Sequence, residues 1–255
     1  MTARPPIPAE HTLDGRTVVI TRPAGTGSPM ARKVRSLGGL PLLLPGLSLR
    51  AVDGPEVAAA VRAALGDALL VFTSPAAVRF AARLVPLTTQ ATVLAVGKGT
   101  ARALARLGIH ALVPPGHQDS EGLLAHPALA KLEGRRVALI GAPGGRGVLR
   151  DELAARGARL REVHVYRRAA PRWQRRQLDA VRPLPAESRV LLSSAEALEN
   201  LRLGLPGDVF AQLRRAVAVA SSERIAVAAR EAGFTRIVIA DSALSEHLLA
   251  AAARP

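Results

Sequence analysis

The sequence predicts an α/β protein built from two similar parallel-sheet domains. Three observations predict it: short apolar runs alternate with longer stretches of helical period, glycines close those stretches, and the plan occurs twice along the 255-residue chain. Thr17-Val-Val-Ile-Thr-Arg-Pro23 matches Arg136-Val-Ala-Leu-Ile-Gly-Ala-Pro143, and Leu70-Val-Phe-Thr-Ser74 matches Val190-Leu-Leu-Ser-Ser194. Pro23 and Pro143 stand 120 positions apart, and so do Ser74 and Ser194. Two copies of one supersecondary plan predict two domains with a cleft between them, and clefts between domains bind small molecules.

The elements follow in order. Residues 18–21, 40–44, 68–73, 92–96, 111–113, 137–140, 162–166, 190–193, 216–220 and 237–240 are apolar runs of strand length. Between them, residues 30–37, 76–84, 100–107, 148–156, 195–201 and 224–232 repeat their apolar positions every three or four residues, as helices packed on a sheet do. Gly38, Gly108, Gly157 and Gly233 follow the last periodic residue, the place of a helix-ending glycine. Strands alternating with helices imply parallel βαβ units.

Composition narrows the function. The hydrophobic fraction of 49% supplies two cores, yet no run approaches the ~20 apolar residues that span a bilayer. The first ten residues are proline-rich and lack the apolar centre of a signal peptide. With no cysteine there is no disulfide, thiolate metal site or cysteine nucleophile. The expectation is a soluble cytoplasmic protein with no membrane partner. The net charge of +15 is carried almost wholly by arginine, since lysine occurs only at Lys33, Lys98 and Lys131. A basic surplus favours an anionic partner. The arginines are scattered and aromatics make up only 2%, which argues against a stacking platform for single-stranded nucleic acid. A polycarboxylate or phosphate ligand fits the charge as well.

In a parallel sheet the strand-to-helix junctions lie at the carboxyl edge, where ligands bind. Here they carry Thr21-Arg22-Pro23, Thr73-Ser74-Pro75, Gly97-Lys98-Gly99-Thr100, Gly141-Ala142-Pro143-Gly144-Gly145-Arg146, Ser193-Ser194 and Ser221-Ser222. Small and hydroxylated residues leave backbone N–H groups open to an anion. Ser and Thr are also ordinary helix caps, and each junction alone reads that way. No phosphate-loop spacing, dinucleotide fingerprint, nucleophile elbow or metal-ligand spacing of the six histidines is present. Tyr166, the single tyrosine, stands where the second copy of the strand plan ends. It reads either as a hinge-facing donor and general acid or as a β-prone aromatic that covers the sheet.

Taken together, Val19-Ile-Thr-Arg-Pro23, Phe72-Thr-Ser-Pro-Ala-Ala-Val78, Ala95-Val-Gly-Lys-Gly-Thr-Ala-Arg102, Ser120-Glu-Gly-Leu-Leu124, Gly144-Gly-Arg146, Val163-His-Val-Tyr-Arg167 and Ser222-Glu-Arg-Ile-Ala226 with Gly233-Phe234 resemble the uroporphyrinogen-III synthase family. The resemblance covers residues 16–249 in family order. It implies two flavodoxin-like domains: residues 1–44 with 170–255, and residues 51–162, joined by two linker strands at 45–50 and 163–169. It also implies ring closure of the linear tetrapyrrole hydroxymethylbilane, with loss of water and inversion of ring D. The implied protein is a monomer without cofactor, for which hydroxymethylbilane synthase is a hand-over partner. By position Tyr166 matches the family's candidate acid, and Ser74, Thr100 and Ser194 match hydroxylated cleft positions. Arg22, Gly97, Lys98, Arg146 and Ser222 complete the expected substrate-binding set. The chain departs from the family at Ser222, where many relatives have Gly, at Ile225, where many have Thr, and at Gly141-Ala142, near which a charged residue is common. Two other classes fit the same features: a two-lobed anion-binding or ligand-sensing protein without turnover, and a nucleic-acid protein that uses the charge directly.

Overall fold

The computed structural model describes residues 12–116, 119–144 and 147–254. The chain divides into two compact units. One comprises the residues up to Ser48 and from Ala169 onward, and the other is Leu49–Arg168.

The first unit begins with β1 (Thr17–Ile20), α1 (Ser28–Ser36) and β2 (Leu40–Leu43). β3 (Ser48–Ala51) leads into the second unit, which contains α2 (Pro55–Leu65), β4 (Leu69–Phe72), α3 (Pro75–Leu84), β5 (Thr92–Ala95), α4 (Lys98–Ala105), α5 (Ser120–Leu124), β6 (Arg136–Gly141), α6 (Val148–Ala155) and β7 (Arg159–His164), and β8 (Tyr166–Ala169) leads out of it. The first unit then resumes with α7 (Arg175–Val181), β9 (Arg189–Leu192), α8 (Ala195–Gly204), α9 (Gly207–Leu213), β10 (Val217–Ala220), α10 (Glu223–Glu231), β11 (Ile237–Ile239) and α11 (Ser245–Ala253).

The first unit's sheet is parallel, in the order β2-β1-β9-β10-β11. The second unit's sheet is parallel, in the order β7-β6-β4-β5. β3 and β8 form a two-stranded antiparallel sheet where the chain passes between the units. The two sheet orders are the same plan. β1 pairs with β9 (Val19 opposite Val190), and β6 pairs with β4 (Leu139 opposite Val71). Each sheet therefore takes one of its central strands from each copy of the repeat.

Both sheets are covered on both faces, which explains the apolar runs of the central strands β1, β4, β6, β9 and β10. In the first unit Val19, Val190, Leu192 and Ala218 face Leu198, Leu201, Phe210 and Ile225 of α8, α9 and α10. The alternate residues Val18, Ile20, Leu191 and Val219 face Met30 and Val34 of α1 and Leu248 and Leu249 of α11. In the second unit Leu70, Phe72, Val93 and Ile140 pack on α2, α3 and α4, while Leu69, Val71, Leu94 and Leu139 pack on α5 and α6. The strand period of two sorts these side chains to opposite faces.

Two expected strands differ from the structure. Residues 111–113 reduce to a single bridge, Leu94 opposite Leu112. The run 162–166 breaks at Val165, because that residue changes partners. Its N–H donates to Gly141 at 3.0 Å, and its carbonyl accepts from Val52 at 3.1 Å. β7 thus ends in the parallel sheet, and β8 begins in the antiparallel pair.

The segment after β2 is pinned within the first unit. Trp173 Nε1 donates to the Pro45 carbonyl at 2.9 Å and Asn200 Nδ2 to that of Gly46 at 2.9 Å. A Cβ on Gly46 would stand 2.7 Å from both the Cβ and the backbone oxygen of Ala197 on α8. Helix backbone cannot yield there, so Gly46→Ala is expected to cost about 1–3 kcal/mol, the range of overpacking. A thermal melt unchanged from wild type would contradict this close approach.

Candidate active site

Each sheet has one place where successive connections leave in opposite directions. In the first unit it lies between β1 and β9, and in the second between β4 and β6. Ligands of open parallel sheets bind beyond the carboxyl ends of such strands. Thr21-Arg22 and Ser193-Ser194 flank the first of these points, and Thr73-Ser74 and Gly141-Ala142-Pro143 flank the second.

In the second unit Ser74 is the N-cap of α3, and its Oγ accepts from the Ala77 N–H at 3.0 Å. Tyr166 Oη lies 3.0 Å from the same oxygen. The tyrosine is only 7% exposed. Its ring stacks on Phe80 with centroids 5.4 Å apart and planes at 19°. The guanidinium groups of Arg79 and Arg83 lie 5.9 and 5.7 Å from the Phe80 ring centroid. The ring covers the core, and the hydroxyl reaches a junction of the carboxyl edge. Beside them, a Cβ on Gly141 would collide with Thr73 Oγ1, so the glycine leaves room for that hydroxyl between the ends of β4 and β6. Arg168 Nη2 donates to the Pro143 carbonyl at 3.1 Å and so ties the loop after β6 to β8. Gly97, Lys98 and Thr100 open α4 at the end of β5, the neighbour of β4. Lys98 is exposed, whereas Thr100 is 4% exposed and faces inward.

In the first unit Arg22, Ser194 and Ser222 follow three adjacent strands, β1, β9 and β10. Ser194 Oγ caps α8 by accepting from the Ala197 N–H at 3.2 Å. Ser222 occupies the N-cap of α10 without a side-chain capping bond, and Ile225 is buried behind it. Arg22 Nη2 donates to the Ala243 carbonyl at 3.1 Å, while its buried Nε has no partner. Among the described residues it forms no ion pair, and burial lowers its pKa below the ordinary arginine value. A desolvated guanidinium without a carboxylate is poised to accept one. Arg146 lies outside the described residues.

Two hollows lie away from these junctions. One of about 360 Å³ sits between α8 and α10, and one of about 230 Å³ lies against Asp67, Arg136, Arg159 and Arg161 at the opposite end of the second sheet. Neither is lined by a residue selected from the sequence. Among the described residues no cluster of His, Asp or Glu could hold a metal ion, and no helix is long and apolar enough to cross a membrane. Sequence reasoning missed Phe80 and Arg168. Phe80 falls on the apolar face of α3, where nothing local separates a tyrosine's stacking partner from ordinary core.

The fold and its paired switch points define a two-unit, flavodoxin-like α/β protein with hydroxyl and cationic donors at its strand ends. Residues 28–250 match the family described as Uroporphyrinogen-III synthase HemD. The chain is 30% identical over 252 residues to the uroporphyrinogen-III synthase of Escherichia coli K12, covering 92% of this chain and 99% of that one. A mutant uroporphyrinogen III synthase from the extremely thermophilic bacterium Thermus thermophilus superposes with a TM-score of 0.56 at 26% identity, over 92% of this chain and 96% of that one. The Helicobacter pylori 26695 uroporphyrinogen-III synthetase shares the fold, with a TM-score of 0.59 at 14% identity over 92% and 96% of the two chains. The chain belongs to the uroporphyrinogen-III synthase family. Its activity is accordingly that of a hydro-lyase of tetrapyrrole biosynthesis.

Proposed function

We propose that the chain takes hydroxymethylbilane as substrate and closes it to uroporphyrinogen III, with Tyr166 as the acid that assists loss of the hydroxyl. The observation that carries this assignment is the Tyr166 hydroxyl at the carboxyl edge of the second sheet, 3.0 Å from Ser74. A proton supplied as the C–O bond breaks lets the hydroxyl leave as water. The electron-rich pyrrole nitrogen then carries the charge as an azafulvene cation. Attack by the substituted carbon of ring D gives a spiro intermediate, which fragments and recloses with the ring inverted. The proton lost from the final ring carbon balances the one donated. Most of the selectivity is positioning, because the substituted carbon must be presented ahead of the free one.

The acetate and propionate carboxylates of the substrate need donors. We assign them to Arg22, Ser194 and Ser222 in the first unit and to Gly97 and Lys98 in the second, with Arg146 and Ser74 completing the set; Thr100, expected among them, is buried and faces the core. The net charge of +15 attracts such a ligand, and capture should slow as salt rises. Residues 1–44 with 170–255 act as one domain and 51–162 as the other, with 45–50 and 163–169 as linkers. The protein works in the cytoplasm as a monomer and receives its labile substrate from hydroxymethylbilane synthase.

Adding the protein to freshly made hydroxymethylbilane and separating the porphyrin isomers after oxidation tests the assignment. A dominant type III product is expected, and a type I product equal to the spontaneous background would reject it. Arg22→Gln is expected to raise KM roughly tenfold with little change in kcat, as loss of one charge-assisted bond to a carboxylate does. An unchanged KM would remove Arg22 from the binding set.

A further inference from the structure

The hydroxyl of Ser74 has one proton and two lone pairs. Its capping bond from the Ala77 N–H uses a single lone pair. The proton and the second lone pair remain, and both are within reach of Tyr166 Oη at 3.0 Å. The contact can therefore run either way, with the tyrosine donating to the serine or the serine donating to the tyrosine.

The tyrosine itself has little freedom. It is 7% exposed and stacked on Phe80. Phe80 belongs to α3, the helix that Ser74 caps. One helix thus grips Tyr166 twice, at the ring through Phe80 and at the hydroxyl through Ser74. What stays free is the direction in which the two hydroxyl protons point.

We propose that Ser74 is a positioning residue for Tyr166 that reverses its hydrogen bond during the reaction. At rest Tyr166 donates to Ser74. When substrate is in place the Tyr166 O–H bond breaks and its proton passes to the departing hydroxyl. The C–O electron pair leaves with that oxygen as water. Ser74 then turns its own proton onto the phenolate oxygen, still held by the Ala77 N–H behind it. The charge forms beside the N-terminus of a ten-residue helix, whose aligned peptides favour an anion there. The proton shed at the last ring closure restores the phenol. This account rests on Tyr166 being the acid. It changes the role of Ser74 from a substrate contact to the tyrosine's partner.

A double-mutant cycle on the full chain with hydroxymethylbilane separates the roles. Ser74→Ala should lower kcat roughly 10–100-fold, the worth of one hydrogen bond to a charged oxygen, with KM within about twofold of wild type. In the Tyr166→Phe background the same change should add almost nothing, because the coupled oxygen is gone. Ser74→Thr, which keeps both the cap and the donor, should restore most of kcat. An equal kcat loss in both backgrounds would overturn the proposal and make Ser74 only a cap. A loss seen in KM and kept in the Tyr166→Phe background would overturn it in favour of a direct bond to substrate. If Tyr166→Phe alone is fully active, the acid assignment falls and this proposal with it. If Tyr166→Phe is impaired while Ser74→Ala is not, only this proposal falls.

Discussion

Replacing Tyr166 by phenylalanine is expected to lower turnover of hydroxymethylbilane by roughly 10- to 100-fold, the lower part of what a positioned acid supplies, and to leave the fold nearly intact. Phenylalanine keeps the stacking on Phe80 and loses only the bond to Ser74. Ser74 would still cap α3 through the Ala77 N–H. The loss should be partial, because an electron-rich pyrrole expels its hydroxyl without help and orientation supplies the rest of the rate. The product should stay mainly type III, since isomer choice depends on how the chain is wrapped and not on the proton. Rates and isomer ratios from one assay read both. Full activity would make the tyrosine a packing residue.

Arg189→Met is expected to give the largest loss of stability, about 2–4 kcal/mol. Arg189 opens β9 and is only 2% exposed. Its Nε donates to Ala252 at 3.0 Å, its Nη2 to Arg254 at 2.9 Å and its Nη1 to Glu187 at 2.8 Å, all to backbone carbonyls. The first two are carbonyls that the end of α11 leaves without a helical partner. Arg16 adds a second cation there, donating to Ala253 at 3.1 Å. Methionine would fill the volume and leave these carbonyls buried and unpaired. The midpoint of thermal unfolding should fall on the order of 10 °C, with earlier hydrogen exchange in α11. A melt within 1–2 °C of wild type would show that the carbonyls find water or another donor.

The amount of structure legible in the sequence varies with how local its cause is. The strands β1, β4, β6, β9 and β10 stand out because a strand buried on both faces must be apolar throughout. The helix α2, Pro55–Leu65, escapes a reading by periodicity, although Gly54-Pro55 and the spacing of Ala58, Val61 and Ala64 mark it. Its alanine-rich sequence blurs the contrast between faces. β3 and β8 are legible only as linkers. Ser48–Ala51 alternates weakly and carries an arginine, so the pairing rests on the partner strand. The site divides in the same way. The hydroxyls at the junctions are visible, because strand-to-helix turns call for small polar residues whatever lies opposite. Ser74 and Tyr166, 92 positions apart, carry no local sign that they touch.

The class of the protein, the repeat and the family are legible in the sequence alone. These depend on periodicity and on short motifs, and both are properties of neighbouring residues. The strand pairing across the two copies followed from the interleaved repeat, whereas that Phe80 is the plate under the tyrosine and that Arg189 closes the last helix emerged from tertiary packing alone. Such contacts join residues far apart along the chain. They are fixed by which faces bury together and which polar groups must then find partners.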